Sequence, residues 1–149
     1  MTILEGLKHT YAQTLPFFEL DDASLEKTYG ADKWSIRFIL HHLADAETVL
    51  YDRIRRAISK PGQVVWGFDQ EAWATGLDYP SRPLALSKSI YSAVRSNIIH
   101  LTDAYYEEHG ANQVVHNEAG MKTLKDIIDK VVWHNEGHIK HIEQALSGN

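Results

Sequence analysis

Residues 59–82, SKPGQVVWGFDQEAWATGLDYPSR, separate two long stretches of helical periodicity. Links between elements in compact domains have a median of about 4–6 residues, so this one is long enough to carry the chain back along a whole bundle. Before it, Ile36, Leu40, Leu43, Leu50 and Ile54 recur at helical spacing after ADKWS, where Asp32 or Ser35 can cap, and Pro61 and Gly62 end the run. After it, Pro83 suits a first helical turn, and Leu86, Ile90, Val94, Ile98 and Leu101 carry a second helix to about His109, ahead of Gly110. A connection that crosses makes these two helices parallel. The predicted architecture is then an all-α four-helix bundle in up-down-down-up order, with the long crossover between helices two and three, rather than a simple alternating bundle.

Two more helices complete the set. Ile3, Leu7, Tyr11, Leu15 and Phe18 mark the first, over residues 2 to 18, and ELDDASLEKTYGADK joins it to the second. Thr123 and Asp126 form a capping box with Asp in place of the usual Glu, opening a fourth helix that continues to Leu146. Strand alternation is absent, as are internal repeats. The chain of 149 residues is 44% apolar and 23% charged, which suits one domain over residues 1–149 with an ordinary core.

The net charge is −5, and no cluster of Lys and Arg stands out beyond Arg53, Arg55 and Arg56, which predicts no nucleic-acid or anionic-membrane partner. With no apolar run near the roughly 18 residues of a membrane span, a cytoplasmic protein is expected. There is no cysteine, so thiolate ligands and a cysteine nucleophile are excluded on this chain. Any metal must be held by His, Asp or Glu.

Three of the nine histidines lie in WHNEGHIKHIEQ, residues 133–144. On a wheel of about 100° per residue, His138 falls roughly 40° from the centre of the stripe formed by Leu124, Ile127, Ile128, Val131, Ile142, Ala145 and Leu146, and His134 roughly 70 to 80° away. Both face inward one turn apart, which lets two imidazoles reach one ion. His141 lies farther round, about 10 Å along the axis from His134. On helix two, His42 flanks the apolar stripe, whereas His41 points roughly 165° away and is expected in solvent with Asp45, Arg53, Arg55 and Arg56. His42 sits about 10 Å past the start of its helix, and His138 and His134 about 12 and 18 Å before the end of theirs, so antiparallel packing brings the three level. His42, His134 and His138 are therefore the candidate metal ligands, an open set of three neutral imidazoles suited to a divalent ion such as Zn²⁺ or Ni²⁺. Glu47 falls within the apolar stripe of helix two, where it either orients a ligand imidazole or pairs with a Lys or Arg from another helix. Asn135 also faces inward. Trp34, Trp66, Trp73 and Trp133 fit core or lid packing better than a substrate pocket.

The run from Trp34 and Ser35 through His42, Leu43 and Glu47 resembles the helix-two signature of the DinB/YfiT-like superfamily. The later segment, His116 to Thr123 and then His134-Asn-Glu-Gly-His138, looks like its other half. Each pattern alone is loose; together, in order and across nearly the whole chain, they are fairly specific. The resemblance implies a four-helix bundle of the same unusual order, a divalent metal on His42, His134 and His138, and a homodimer. It departs at position 141, where many relatives carry Gln and this chain carries His. The implied activity is that of a metal-dependent enzyme on a small-molecule substrate. Transfer of a low-molecular-weight thiol to an electrophile is the leading form, and hydrolysis with Glu47 as the candidate catalytic base is the variant. The alternative is a non-catalytic metal-binding or dimerising bundle.

Overall fold

The computed structural model describes residues 1–148. The helix α1 (Ile3–Thr14) opens on a reciprocal cap, with Thr2 accepting from the Glu5 backbone while the Glu5 carboxylate accepts from the Thr2 backbone. Pro16 has no N–H to continue the α-helical ladder, and the predicted helix tightens into a 3-10 turn over Leu15–Glu19. After the single turn α2 (Asp22–Leu25), Ser35 caps the 24-residue helix α3 (Ile36–Ser59), its Oγ accepting from Phe38. Asp32, the other cap candidate, lies in the preceding turn with φ of 60°.

The long connection after α3 carries the short strand β1 (Val64–Val65) and the helix α4 (Gln70–Gly76), and delivers the chain to α5 (Leu84–Tyr105) with Pro83 at the cap rather than inside the helix. Gly110 ends the turn after α5. A Cβ there would stand 2.3 Å from the Tyr106 carbonyl oxygen, so only glycine fits. The strands β2 (Gln113–His116) and β3 (Gly120–Thr123) form a hairpin, with Gly120 at φ of 79°, and Thr123 then caps α6 (Leu124–Leu146) through the predicted box with Asp126.

The small sheet, in order β1-β2-β3, corrects the expectation that strands are absent. β1 pairs parallel with β2, and β2 antiparallel with β3. Its strands have two to four residues, too few for alternation to register, and one of the two pairings joins segments about fifty residues apart. Such pairing leaves no local signature.

The four long helices form the bundle, and two apolar clusters fill it. One gathers Leu7, Leu50, Ile54, Ile98, Leu124, Ile128 and Val131; the other gathers Phe18, Ile36, Ile39, Leu40, Leu43, Tyr91 and Ile142. Between them lies a layer of buried polar groups, Thr10, Thr14, Glu47, Arg95 and Asn135. α3 is the central element. Every residue from Ile39 to Glu47 is buried, so this stretch is enclosed on all sides, where a surface helix would bury one stripe. Among the described residues no helix is long and apolar enough to cross a membrane.

Candidate metal centre

The central position of α3 and the packing of α6 against it bring His42, His134 and His138 together, with one nitrogen from each ring within 4.8 Å of the others. The Nε2 atoms of His42 and His134 are 2.9 Å apart, and the ring centroids of the three pairs lie 4.6 to 4.9 Å apart. Burial, reinforced by the neighbouring imidazoles, pulls all three well below the ordinary histidine value, to about 3. They are neutral at physiological pH, the form that ligates metal.

One further feature fits the trio to a cation. Three uncharged rings with converging nitrogens satisfy one another poorly, because each neutral ring has only one N–H to donate. A divalent ion accepts a lone pair from each, and the donor set matches an open three-histidine site. His141 stands apart: it stacks on Tyr29 at 4.1 Å and 6°, and its ring lies 5.5 Å from that of His138.

The surroundings of the triad come partly from the connection between α3 and α5. Phe68 stacks on His42 at 5.8 Å with an interplanar angle of 5°, Trp73 packs edge-on against Phe68, and Trp34 covers another side of His42 at 5.1 Å. Trp66 and Trp133 are exposed. His42 and His134 form part of the wall of an open cavity of about 600 Å³, bounded further by residues of α3, the hairpin and the start of α6. His116 lines it as well. Its Nδ1 accepts from the backbone N–H groups of Glu118 and Ala119, which leaves Nε2 as the protonated nitrogen of the neutral ring.

Glu47 is buried within hydrogen-bonding reach of Arg95 on α5 through both carboxylate oxygens, and no described hydrogen bond joins it to a triad nitrogen. Arg95 also donates to the Leu7 carbonyl, Thr10 and Asn135, and Asn135 in turn donates to Thr14. Asn135 follows His134 directly in the chain, so this network fixes the turn of α6 that presents His134.

Three residues expected in solvent are buried. His41 is fully enclosed, its Nδ1 2.7 Å from Ser87 Oγ on α5. Asp45 accepts from the Tyr79 hydroxyl and from Arg82, both brought by the connection between α3 and α5. Arg53 is 7% exposed and donates to the Trp66 carbonyl oxygen. In each case a distant segment covers a helix face that looks polar by itself. Arg55 and Arg56 are exposed, as expected.

The sequence profile of the DinB superfamily matches residues 7–142. The chain belongs to the DinB superfamily. Among curated relatives of this DinB chain, a protein of Oceanobacillus iheyensis, provisionally named a metal-dependent hydrolase, is 34% identical over 130 residues, covering 87% of this chain and 75% of its own. YfiT of Bacillus subtilis, under the same provisional name, is 26% identical over 129 residues, 84% of this chain and 71% of its own. The solved structure of that YfiT aligns with a TM-score of 0.87 at 21% identity, over 96% of this chain and 83% of the other. At that identity the likeness shows the fold, an arrangement described for YfiT as an unusual four-helix bundle topology.

Proposed function

We propose that this DinB protein is a divalent-metal-dependent hydrolase of a small molecule, with His42, His134 and His138 as the ligands. The observation that carries the reading is a trio of neutral histidines, His42 buried and His134 and His138 half-buried, two of which, His42 and His134, stand on the wall of a 600 Å³ cavity. The names of the Oceanobacillus and Bacillus relatives support the reaction class.

A divalent ion in the triad would supply Lewis acidity, polarising a substrate carbonyl or phosphoryl oxygen and acidifying water near neutral pH. The protein's own contribution is preorganisation. Phe68 and Trp34 keep bulk water from the His42 ring, and the Arg95–Glu47–Asn135 network holds the α6 turn. His116 and Glu118 are among the residues lining the cavity that can donate and accept a proton there. Glu47, with both oxygens engaged by Arg95, is assigned to positioning.

The bundle order belongs to this reading. Two contacts advance together along α3 and α5, His41 with Ser87 and Glu47 with Arg95. They support a parallel pair, hence up-down-down-up order with the crossover spanning the bundle and setting Phe68 over the triad.

The test is a panel of esters, amides and phosphoesters offered to the metal-loaded protein, with and without glutathione, bacillithiol or mycothiol. Turnover without thiol, lost on chelation, restored by a divalent ion and absent in His138→Ala, is expected. Turnover that requires the thiol would replace hydrolysis by thiol transfer. Stoichiometric metal with no turnover in either arm would leave a metal-stabilised bundle.

A further inference from the structure

Three arginines carry their guanidinium groups into the interior, and two of them meet carboxylates. Arg95 pairs with Glu47, and Arg82 with Asp45 and Asp78. Arg53 is the exception: among the described residues it makes no ion pair, and its one hydrogen bond is from Nη2 to the Trp66 carbonyl oxygen at 2.6 Å. It is 7% exposed, and burial pushes the guanidinium below its ordinary value. Asp52, the carboxylate whose charge it feels, is held by Arg56; a buried cation without an ion-pair partner is costly, so its persistence calls for an anion.

The cavity supplies the place. Arg53 lines it together with His42 and His134. His42 and Arg53 are eleven residues apart on α3, about three full turns, which puts them on one face within roughly 20° and about 16 Å apart along the axis. Helical side chains lean toward the N-terminal turn, which carries the Arg53 head toward His42 and shortens that span. Lys130, one turn before His134 on α6, and Lys122 on β3 line the same space, and burial and then Arg53 hold Lys130 below its ordinary value. Three carboxylates also line it. Asp126 is bound to the Thr123 backbone N–H, Asp129 accepts from the Tyr106 hydroxyl, and Glu118 makes no ion pair with Arg53.

We propose that Arg53 anchors an anionic group of the substrate, a carboxylate or a phosphate, at the end of the cavity away from the histidine trio, with Lys130 assisting at its mouth. A planar guanidinium with free N–H groups grips either anion through paired hydrogen bonds. The substrate is then an elongated anion, held by its charged end while the bond to be broken lies beside the triad. This inference rests on the hydrolase reading only in taking the cavity as the substrate site.

Calorimetric titration of the whole chain, after loading with a divalent ion and again after chelation, tests it with two probes, inorganic phosphate and succinate. Saturable binding of at least one probe is expected, surviving chelation, weakened about tenfold or more in Arg53→Gln and about two- to threefold in Lys130→Gln. The ratio of the two probes distinguishes a phosphate from a carboxylate site. Arg53→Lys keeps the charge and the bond to Trp66 but loses the paired geometry, so an intermediate loss is expected, and this variant gives the reading should Arg53→Gln fail to fold. Binding indifferent to both Arg53 variants, binding that vanishes with the metal alone, or no binding to wild type overturns the proposal. Arg53-dependent binding in a protein without hydrolase activity would remove the hydrolase reading only, and hydrolysis with Arg53-independent binding would remove this one only.

Discussion

Two polar regions touch α3, and they differ in how completely they satisfy themselves. Around Arg95, donors and acceptors match: the guanidinium meets Glu47, Thr10, Asn135 and the Leu7 carbonyl, and Asn135 is also reached by Tyr91 and bonds Thr14. Around the triad they do not match, with converging imidazole nitrogens, unpartnered Nδ1 atoms and, along the same cavity, an arginine without a counter-charge. A closed network of charges fixes a structure. An open one at the wall of a cavity is arranged for something that arrives.

The largest effects belong to the open region. His42→Ala, His134→Ala and His138→Ala are each expected to abolish the binding of about one divalent ion per chain, because two imidazoles rarely hold such an ion against solvent. His41→Ala is expected to keep it, since His41 turns its Nδ1 to Ser87 instead. Elemental analysis of the four variants measures this. Full metal in the His138 variant would dissolve the contrast between the regions.

The closed region comes next. Removing one member of a buried ion pair leaves a bare charge, and Arg95→Met is expected to destabilise by roughly 3–5 kcal/mol, while the double change with Glu47→Leu recovers much of that loss. Urea midpoints of the single and double variants decide it. A double variant no more stable than Arg95→Met would show that the network contributes through its other hydrogen bonds.

The same contrast explains what the sequence makes legible. The four long helices follow from apolar spacing and caps, and the convergence of His42, His134 and His138 follows from their angle to the stripes, because a side chain that faces a neighbouring helix obeys its own helix's periodicity. His41, Asp45 and Arg53 defeat the same reasoning. Their faces of α3 are covered by Ser87, by Tyr79 and Arg82, and by Trp66, groups that come from α5 and the connection before it. Phe68 over His42 is hidden for the same reason; the only local sign is the aromatic run Trp66-Gly-Phe68 in a segment with no helical stripe.

A moderate effect is expected from pH in the metal-free protein. The triad histidines stand at about 3 when folded and at 6.5 ordinarily, so between those values the unfolded chain binds protons that the folded chain refuses. Stability is therefore complete above about pH 6.5 and falls as pH drops below it, by at most about 1.4 kcal/mol per pH unit for each group. Protons compete with metal as well, so loaded protein shifts in the same direction. Urea midpoints of chelated protein at pH 7, 6 and 5 measure the slope, and a flat or rising series would contradict the buried, neutral triad.

The smallest effect tests whether an unsatisfied buried atom is by itself a sign of function. Thr102 Oγ1, on the buried stripe of α5, has no hydrogen-bond partner, just like His138 Nδ1. The two atoms differ in their company. His138 shares its space with two more imidazoles that offer nitrogens to one point, whereas Thr102 belongs to no such group of ligand atoms. Thr102→Val replaces the hydroxyl by a methyl of similar shape and removes a desolvated donor and acceptor that nothing meets. The expected change is therefore stabilising and within roughly 1 kcal/mol, with metal content unaltered. A thermal melt and elemental analysis suffice. Loss of stability beyond about 1 kcal/mol would mean that the Thr102 hydroxyl is bonded in solution, and that a buried polar atom without a partner in the structure is no mark of incompleteness.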